Sequence, residues 1–347
     1  MTTEHREAAP PASSGGAAPR PEPDGRRTAK SAAPDPKEAR RMARRSRRYQ
    51  WDIKFSPYGF IAPFFLFFAA FGLFPLLYTG WSSLHDVSMT TPNEMEWVGF
   101  DNFTRLWDDE FFWKSLRNTF TIGIISTVPQ LLMALGLAHL LNYKMRGSML
   151  FRVAILTPYA TSVAAATLVF VMLYGQGDYG IINWCLDLVG IDAISWEAGT
   201  WSSQFAVSTI VIWRWTGYNT LIYLAAMQAI PNDLYESASL DGASRWQQFR
   251  HVTLPQLRPT ILFTIVVSTI GATQLFGEPL LFGGDESGGA QNQYQTLGLY
   301  MYETGWANRH LGRAAALAWT MFLLLIIIGL IYWVLTRLVG RSSGEEE

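Results

Sequence analysis

Polar side chains interrupt a long apolar run at WRWTGYN, residues 213–219. Arg214 and Tyr218 are four residues apart and therefore share one helical face, and Asn219 follows directly. Polar groups inside a membrane-spanning helix are costly, so those that persist there mark binding sites or transport pathways. Trp213 and Trp215 add aromatic faces. Such faces combined with hydrogen-bonding groups suit a polyhydroxylated molecule.

A second polar stripe lies in the next apolar run, where Gly271, Gln274 and Glu278 have the i, i+3, i+7 spacing of one helical face. Glu278 could contact a polar molecule directly. It could instead pair with Arg214 and lock two helices together, or coordinate a cation, although one carboxylate is a sparse ligand set. No metal site is expected elsewhere, because five His and one Cys show no ligand spacing.

The composition is that of a membrane protein. Of the 347 residues only 16% are charged, against about a quarter in soluble proteins, and the net charge is −1. A helix that crosses a bilayer needs about 20 apolar residues, and six segments reach this length. We therefore predict an all-α polytopic membrane protein with six transmembrane helices. The predicted spans are Tyr58–Leu84, Asn118–Leu141, Leu150–Tyr174, Gln204–Ala229, Thr260–Phe282 and Leu311–Leu338.

Basic residues are concentrated at the N-terminus, where the first 50 residues hold 12 of the 27 Lys and Arg. Residues 1–50 are predicted to be a disordered basic tail, since Ala, Pro, Gly and Ser dominate its first part. Basic residues in alternate loops place both termini in the cytoplasm of a cell. Residues 51–341 then form the membrane domain, and residues 342–347 a cytoplasmic tail. The basic tail can adhere to the lipid bilayer, and no nucleic-acid partner is expected.

A polar segment, YESASLDGASRWQQFRHVTLP, separates the fourth and fifth predicted spans and would face the cytoplasm. It reads as two short helices joined by a glycine turn, within a predicted coupling loop at residues 231–258. The signals are a capping box at Asp233 and Glu236, a helix end at Gly242, a second capping box at Ser244 and Gln247, and a stop at Leu254 and Pro255. It could lie on the membrane surface, bind DNA as a helix-turn-helix, or dock a cytoplasmic partner.

Docking of a cytoplasmic partner is the favoured interpretation, because the segment resembles the EAA loop of ABC importer permeases. The matching residues are Glu236, Ala238, Asp241, Gly242, Ala243, Phe249, Val252, Leu254 and Pro255. Ser237 stands where that loop usually has its first alanine. Other stretches, among them WVGFDNFTRLWDDEFFWKSLRNTF and AAMQAIPNDLYESA, resemble the maltose and glycerol-phosphate permeases of the carbohydrate-importing subfamily. The resemblance extends over nearly the whole chain after about residue 55.

The resemblance implies a mechanism and partners. In such importers the EAA hairpin sits in a cleft on an ATPase subunit, whose closure swings a permease pair between inward- and outward-facing states. It implies a second homologous permease, two ATP-binding cassette subunits and an extracellular solute-binding protein. This chain is expected to be no enzyme and to bind no cofactor. It contains no G-x-x-x-x-G-K-[ST] phosphate loop, so ATP and Mg would be used by the ATPase partner.

The cargo is expected to be a neutral oligosaccharide, and a disaccharide such as cellobiose or another glucoside is the narrower expectation. In the sugar permeases the cargo touches the two corresponding spans, which carries over to Tyr218, Asn219 and Gln274, and less directly to Arg214 and Glu278. The Gly- and Gln-rich loop after span five is expected to contact a delivered ligand or its carrier. The alternatives are an ion- or proton-coupled secondary transporter and a membrane signalling or scaffold protein; the former predicts inverted repeats.

Overall fold

The fold is almost entirely helical. The computed structural model describes residues 36–91, 94–143, 146–175, 180–284 and 287–342. Contacts divide the chain into two units, Met1–Phe68 and Ala69–Glu347. The helices are α1 (Pro36–Phe68), α2 (Phe74–Ser83), α3 (Asp101–Trp107), α4 (Glu110–Leu141), α5 (Ser148–Ala160), α6 (Val163–Leu173), α7 (Ile181–Asp187), α8 (Thr200–Gln228), α9 (Asn232–Leu240), α10 (Arg245–Gln248), α11 (Leu254–Thr273), α12 (Gly277–Gly283), α13 (Leu297–Tyr302) and α14 (Leu311–Ser342). Two short strands, β1 (His85–Asp86) and β2 (Glu96–Trp97), pair antiparallel.

The described residues include fewer candidate spans than the six predicted. Four helices are long and apolar enough to cross a membrane, or five if α5 and α6 together form one bent span. The four are Ile53–Ser83, Glu110–Leu141, Arg245–Thr273 and Leu311–Val334. The predicted fourth span, Gln204–Ala229, is missing from this group. Its residues form α8, which is long enough at 29 residues but buries many Ser, Thr, Gln and Asn side chains against neighbouring helices. Because protein covers these faces, α8 need not be apolar all round.

The first helix begins earlier than the sequence predicts. Helix α1 starts at Pro36, so residues 36–50 are helical, although the predicted disordered tail includes them. The stretch from Lys37 to Arg48 is made mainly of Lys, Glu, Ala, Arg and Met, which are strong helix formers. The remainder of the predicted N-terminal tail, residues 1–35, lies outside the described residues, as do residues 343–347 of the C-terminal tail.

The predicted third span, Leu150–Tyr174, is two helices rather than one. Helices α5 and α6 meet at 93°. Thr161 and Ser162 between them have extended backbone, and the Ser162 hydroxyl caps α6 by accepting a 3.1 Å hydrogen bond from the Ala165 N–H. Pro158, in the last turn of α5, has no N–H to continue the helix. The bend therefore follows from a proline followed by a new helix start.

The predicted fifth span, Thr260–Phe282, is also wrong in its limits. A continuous helical stretch runs from Arg245 to Thr273 through a π-helical turn at Phe249–Thr253. The helix then breaks at residues 274–276, and α12 starts at Gly277. A Cβ on Gly277 would lie 2.9 Å from Cγ1 of Val163 in α6, so close packing against the bent third segment favours glycine here. Consequently Gly271, Gln274 and Glu278 do not share one helical face.

Candidate functional site

The polar hairpin between α8 and α11 has the predicted glycine turn. Gly242 has φ +79°, the left-handed conformation that favours glycine. The N–H of Gly242 donates to the Ser239 carbonyl at 3.1 Å, and the N–H of Ala243 donates to the Ala238 carbonyl at 2.9 Å. These two bonds are the Schellman arrangement that ends a helix. Asp241, the last residue before the turn, is exposed.

The helices on either side of the turn match their predicted caps only in part. Ser244 and Gln247 form the predicted capping box, with both reciprocal hydrogen bonds present. The predicted capping box at Asp233 and Glu236 is wrong, because α9 begins two residues earlier than a cap at Asp233 would place it, and Pro231 occupies the cap position without a side-chain bond. Asp233 instead lies in the first turn of α9, where a carboxylate is favoured by the helix dipole.

The predicted stop at Leu254 and Pro255 is also wrong. Helix α11 includes both residues and continues directly from the π-helical turn. Proline at the start of α11 lacks the N–H that a regular α-helix would use, and the wider π turn accommodates that gap. The second helix of the hairpin therefore continues without a break into the membrane-spanning part of the chain.

The hairpin exposes charged and apolar side chains together. Glu236 and Ser237 are exposed on α9, with the Ser237 hydroxyl donating to the Asp233 carbonyl at 2.8 Å. Leu240 is 90% exposed and Trp246 is 66% exposed. Neither apolar residue was predicted to belong to the site, because the sequence does not reveal which side of a short helix lacks a neighbour. Their exposure on a polar hairpin is typical of a contact surface.

The base of the hairpin is anchored to the helical bundle. The hydroxyls of Tyr235 and Thr253 lie 2.9 Å apart, within hydrogen-bond distance. Phe249 is buried, and its ring centroid lies 4.4 Å from that of His139 at the C-terminal end of α4. The Arg245 guanidinium lies 5.2 Å from the centroid of the Tyr143 ring. These contacts anchor the hairpin to the C-terminal end of α4.

Among the polar residues within the spans, Arg214 and Glu278 meet directly. Arg214 Nη1 donates to Glu278 Oε1 at 2.7 Å, with only 11% and 6% of the two side chains exposed. The pair joins α8 to α12, across the break that ends α11. Arg214 Nε has no hydrogen-bond partner in the described part of the chain. The structure thus contains the Arg214–Glu278 pairing that the sequence left open.

The other three predicted cargo-contact residues lie in different environments. Tyr218 stacks on Tyr159 of α5, with ring centroids 4.7 Å apart and an interplanar angle of 19°. Asn219 is buried, and its amide donates to the Trp215 carbonyl at 3.3 Å. Gln274 is exposed at the C-terminal end of α11. Tyr159 was not predicted, because its contact with Tyr218 depends on how α5 packs on α8.

The backbones of α5 and α8 approach closely next to the stacked rings of Tyr159 and Tyr218. A Cβ built on Gly217 would lie 1.8 Å from the Ile155 carbonyl oxygen, so α5 and α8 meet at a position where only glycine fits. We expect Gly217→Ala to force these helices apart and to destabilise the protein by about 1–3 kcal/mol. The test is the apparent unfolding temperature in detergent. Gly136→Ala on α4 is the matched control, since its Cβ would meet nothing within 4 Å; equal unfolding temperatures for the two variants would contradict the prediction.

Comparison with known proteins identifies the family. Residues 130–343, more than half of the chain, match the family described as binding-protein-dependent transport system inner membrane component. The chain belongs to this family. The permease is 34% identical over 284 residues to the arabinooligosaccharides transport system permease protein AraP of Halalkalibacterium halodurans, covering 82% of this chain and 88% of the relative. It is 36% identical over 253 residues to the lactose transport system permease protein LacF of Rhizobium radiobacter, covering 70% and 80%.

A solved structure has the same fold as the permease. A chain of a bacterial alginate ABC transporter, crystallised with a periplasmic protein carrying an alginate pentasaccharide, superposes with a TM-score of 0.72 at 22% identity, covering 84% of the permease and 97% of that chain. The predicted resemblance to sugar-importing ABC permeases is therefore confirmed. The permease is an integral membrane protein of a binding-protein-dependent transport system, and it is a transport subunit rather than an enzyme.

Proposed function

We propose that the permease forms half of the translocation path of an ATP-driven importer for a neutral oligosaccharide. The observation that carries this proposal is the hairpin at Glu236–Trp246, which combines an exposed carboxylate, exposed Leu240 and Trp246, and a fixed glycine turn. An exposed, anchored element of mixed polarity suits docking to a second protein better than lying on a lipid surface. A charge-assisted bond from Glu236 to a basic side chain would add about 1.5–3 kcal/mol.

The partner for that surface would be an ATP-binding cassette subunit. ATP and Mg would be bound there, because no phosphate-binding loop occurs in this sequence. A second homologous permease would complete the path and supply a second hairpin, so that two ATPase subunits serve the pair. An extracellular solute-binding protein would deliver the cargo. Both termini would then lie in the cytoplasm, on the same side as the hairpin.

The cargo class is supported by relatives and by the aromatic cluster around Tyr218. Relatives of this chain are named for arabinooligosaccharides, lactose and trehalose or maltose. The stacked rings of Tyr218 and Tyr159, with Trp215 nearly perpendicular to Tyr218, present aromatic faces of the kind that bind sugar rings. Within this class we place disaccharides such as cellobiose or another glucoside first. Arg214 and Glu278 are already paired, which leaves Tyr218 as the strongest candidate contact.

The proposal is tested by uptake in proteoliposomes. The permease is co-purified with its partners in mild detergent, reconstituted, and supplied with internal ATP, binding protein and a panel of labelled sugars that includes cellobiose, lactose and arabinobiose. We expect uptake of at least one neutral oligosaccharide that depends on ATP. Uptake driven by an ion or proton gradient without ATP would support a secondary transporter instead. Uptake that stops when ATP is removed, and that needs no ion or proton gradient, would exclude a secondary transporter.

Asn219→Ala combined with Gln274→Ala is expected to change the sugar preference or to lower uptake by about tenfold, the effect of losing about 1.4 kcal/mol of hydrogen bonding to the cargo. Initial uptake rates across the same sugar panel provide the measurement. Thr269→Ala is a matched control, because its hydroxyl donates within its own helix to the Ile265 carbonyl at 2.7 Å. Unchanged uptake and preference in the double variant would remove Asn219 and Gln274 from the path.

A further inference from the structure

A polar cavity lies at the end of α4 that is remote from the hairpin. We call it the distal cavity; its volume is about 570 Å³. It is lined by Asp109, Phe111, Ser287, Ala290, Asn292, Tyr300, Glu303, Thr304, Asn308, His310 and Arg313. Because α4 has 32 residues, its two ends are about 48 Å apart, roughly the thickness of a bilayer. The distal cavity therefore opens on the face opposite to the hairpin.

The carboxylates of the distal cavity are held in fixed positions. Asp109 Oδ1 accepts a 2.9 Å hydrogen bond from the Phe111 N–H, and Asp109 Oδ2 accepts one from the Tyr300 hydroxyl. Burial, and then the neighbouring Asp109, raise the pKa of Tyr300, so its hydroxyl remains a neutral donor. Glu303 Oε2 accepts from the Gln295 amide. Both carboxylates are thus oriented before any ligand binds.

Arg313 supplies a guanidinium to the lining of the distal cavity. The Arg313 guanidinium forms no hydrogen bond or ion pair with any residue that the structure describes, although it lines the same cavity as Asp109 and Glu303. The Asn308 side chain likewise has no hydrogen-bond partner within the described ranges, since only its backbone N–H is bonded. The cavity thus holds donors at some positions and acceptors at others.

Hydrogen-bond donors and acceptors at different positions of the distal cavity match a ligand with many hydroxyls. Each hydroxyl donates one hydrogen bond and accepts others, so one molecule can satisfy carboxylates, an amide and a guanidinium together. Two carboxylates against one guanidinium disfavour an anion. Phe111, half exposed, offers an aromatic face at the cavity wall. The volume falls within the range of about 300–1,000 Å³ that is usual for small-molecule sites.

We propose that the distal cavity binds a neutral saccharide, at a site separate from the polar residues within the spans. The cargo class and the outward direction of the cavity rest on the proposed function. In that orientation a sugar bound here lies on the side from which cargo arrives. The Gly- and Gln-rich loop would then contribute Ser287 and Asn292 to a sugar site.

The test is saturation-transfer difference NMR on the full transporter in nanodiscs without binding protein, using cellobiose and lactose as probes. We expect transfer to at least one sugar with the wild type, and a loss of at least fivefold with Arg313→Gln combined with Asn308→Ala. Arg313→Lys, which keeps the charge but not the planar fork, should give an intermediate signal. Thr269→Ala is the control and should keep the signal, because its hydroxyl donates within its own helix to the Ile265 carbonyl. Wild-type levels of assembled transporter and an unchanged unfolding temperature establish that each variant is folded.

Three results would overturn the assignment. No transfer from the wild type means that the distal cavity binds neither sugar. Equal transfer in the wild type and the Arg313→Gln, Asn308→Ala variant places the bound sugar elsewhere. Loss of binding-protein-stimulated ATP hydrolysis in that variant, with sugar transfer intact, assigns the cavity to a protein partner. The proteoliposome uptake assay fails or succeeds independently, because a sugar can bind the distal cavity without being transported and can be transported without binding there.

Discussion

Glu236→Lys and Gly242→Arg are each expected to lower ATP-driven uptake by about 10- to 100-fold while the permease reaches the membrane in normal amounts. In Glu236→Lys, an exposed carboxylate that would face a basic partner becomes a cation, and losing a charge-assisted bond of about 1.5–3 kcal/mol corresponds to that range. In Gly242→Arg, a long cation is placed at the exposed turn, where φ is +79°. The measurement compares uptake with ATP hydrolysis in the same proteoliposomes.

These two variants separate docking from folding. A Cβ on Gly242 would meet nothing within 4 Å, so the arginine strains only the local backbone, by about 1–2 kcal/mol. Gly242→Asn is the matched control, because asparagine tolerates the left-handed conformation and adds no charge; it should retain most uptake. Glu236→Gln keeps the side-chain length without the charge and should fall between wild type and Glu236→Lys. Wild-type uptake in both Glu236→Lys and Gly242→Arg would end the coupling proposal.

Arg214→Met alone should destabilise the permease by about 3–5 kcal/mol, because it leaves the Glu278 carboxylate buried without its partner. The same loss of stability is expected for Glu278→Met, which leaves the Arg214 guanidinium buried without its partner. The double variant Arg214→Met, Glu278→Met should recover most of the stability, since a buried ion pair replaced by apolar side chains of similar size is often neutral. Apparent unfolding temperatures of the four proteins form a double-mutant cycle. Additive effects in that cycle would contradict the pairing.

The same cycle decides what the ion pair contributes to transport. A double variant that is stable and transports sugar at the wild-type rate means that Arg214 and Glu278 only hold α8 against α12. A double variant that is stable but inactive means that one of the two charges also meets the cargo. The reversed pair, Arg214→Glu with Glu278→Arg, restores the attraction while exchanging the charges. Uptake in that variant would exclude a contact that requires the guanidinium on α8.

Local features of the hairpin could be predicted from the sequence. The Ser244 and Gln247 capping box and the Gly242 turn depend on residues within three positions of each other, so short-range chemistry fixes them. The predicted start of α9 was wrong because it followed the capping pattern at Asp233 and Glu236, whereas the helix begins at Asn232, directly after Pro231. The exposure of Leu240 and Trp246 could not be predicted, since it depends on what packs against the hairpin rather than on its own sequence.

Features set by packing between distant segments escaped prediction. Apolar periodicity predicts uninterrupted spans, but the third predicted span bends between α5 and α6, and α11 ends at Thr273 before α12 begins. Neighbouring helices satisfy the backbone groups freed at such breaks, and periodicity carries no information about those neighbours. The polar side chains of α8 are likewise buried by neighbouring helices that the sequence pattern does not reveal. The pairing of Arg214 with Glu278, 64 residues apart, remained one of several alternatives until the fold placed them together.

An unbroken helical stretch from Arg245 to Thr273 connects the exposed hairpin to the break before α12. At 1.5 Å per residue, its 29 residues form a lever arm about 43 Å long, with exposed Trp246 near one end. Helix α12 does not belong to this arm, because Glu278 ties it to Arg214 on α8. We predict that any rotation of this arm relative to α12 is taken up at residues 274–276, the break between the two helices.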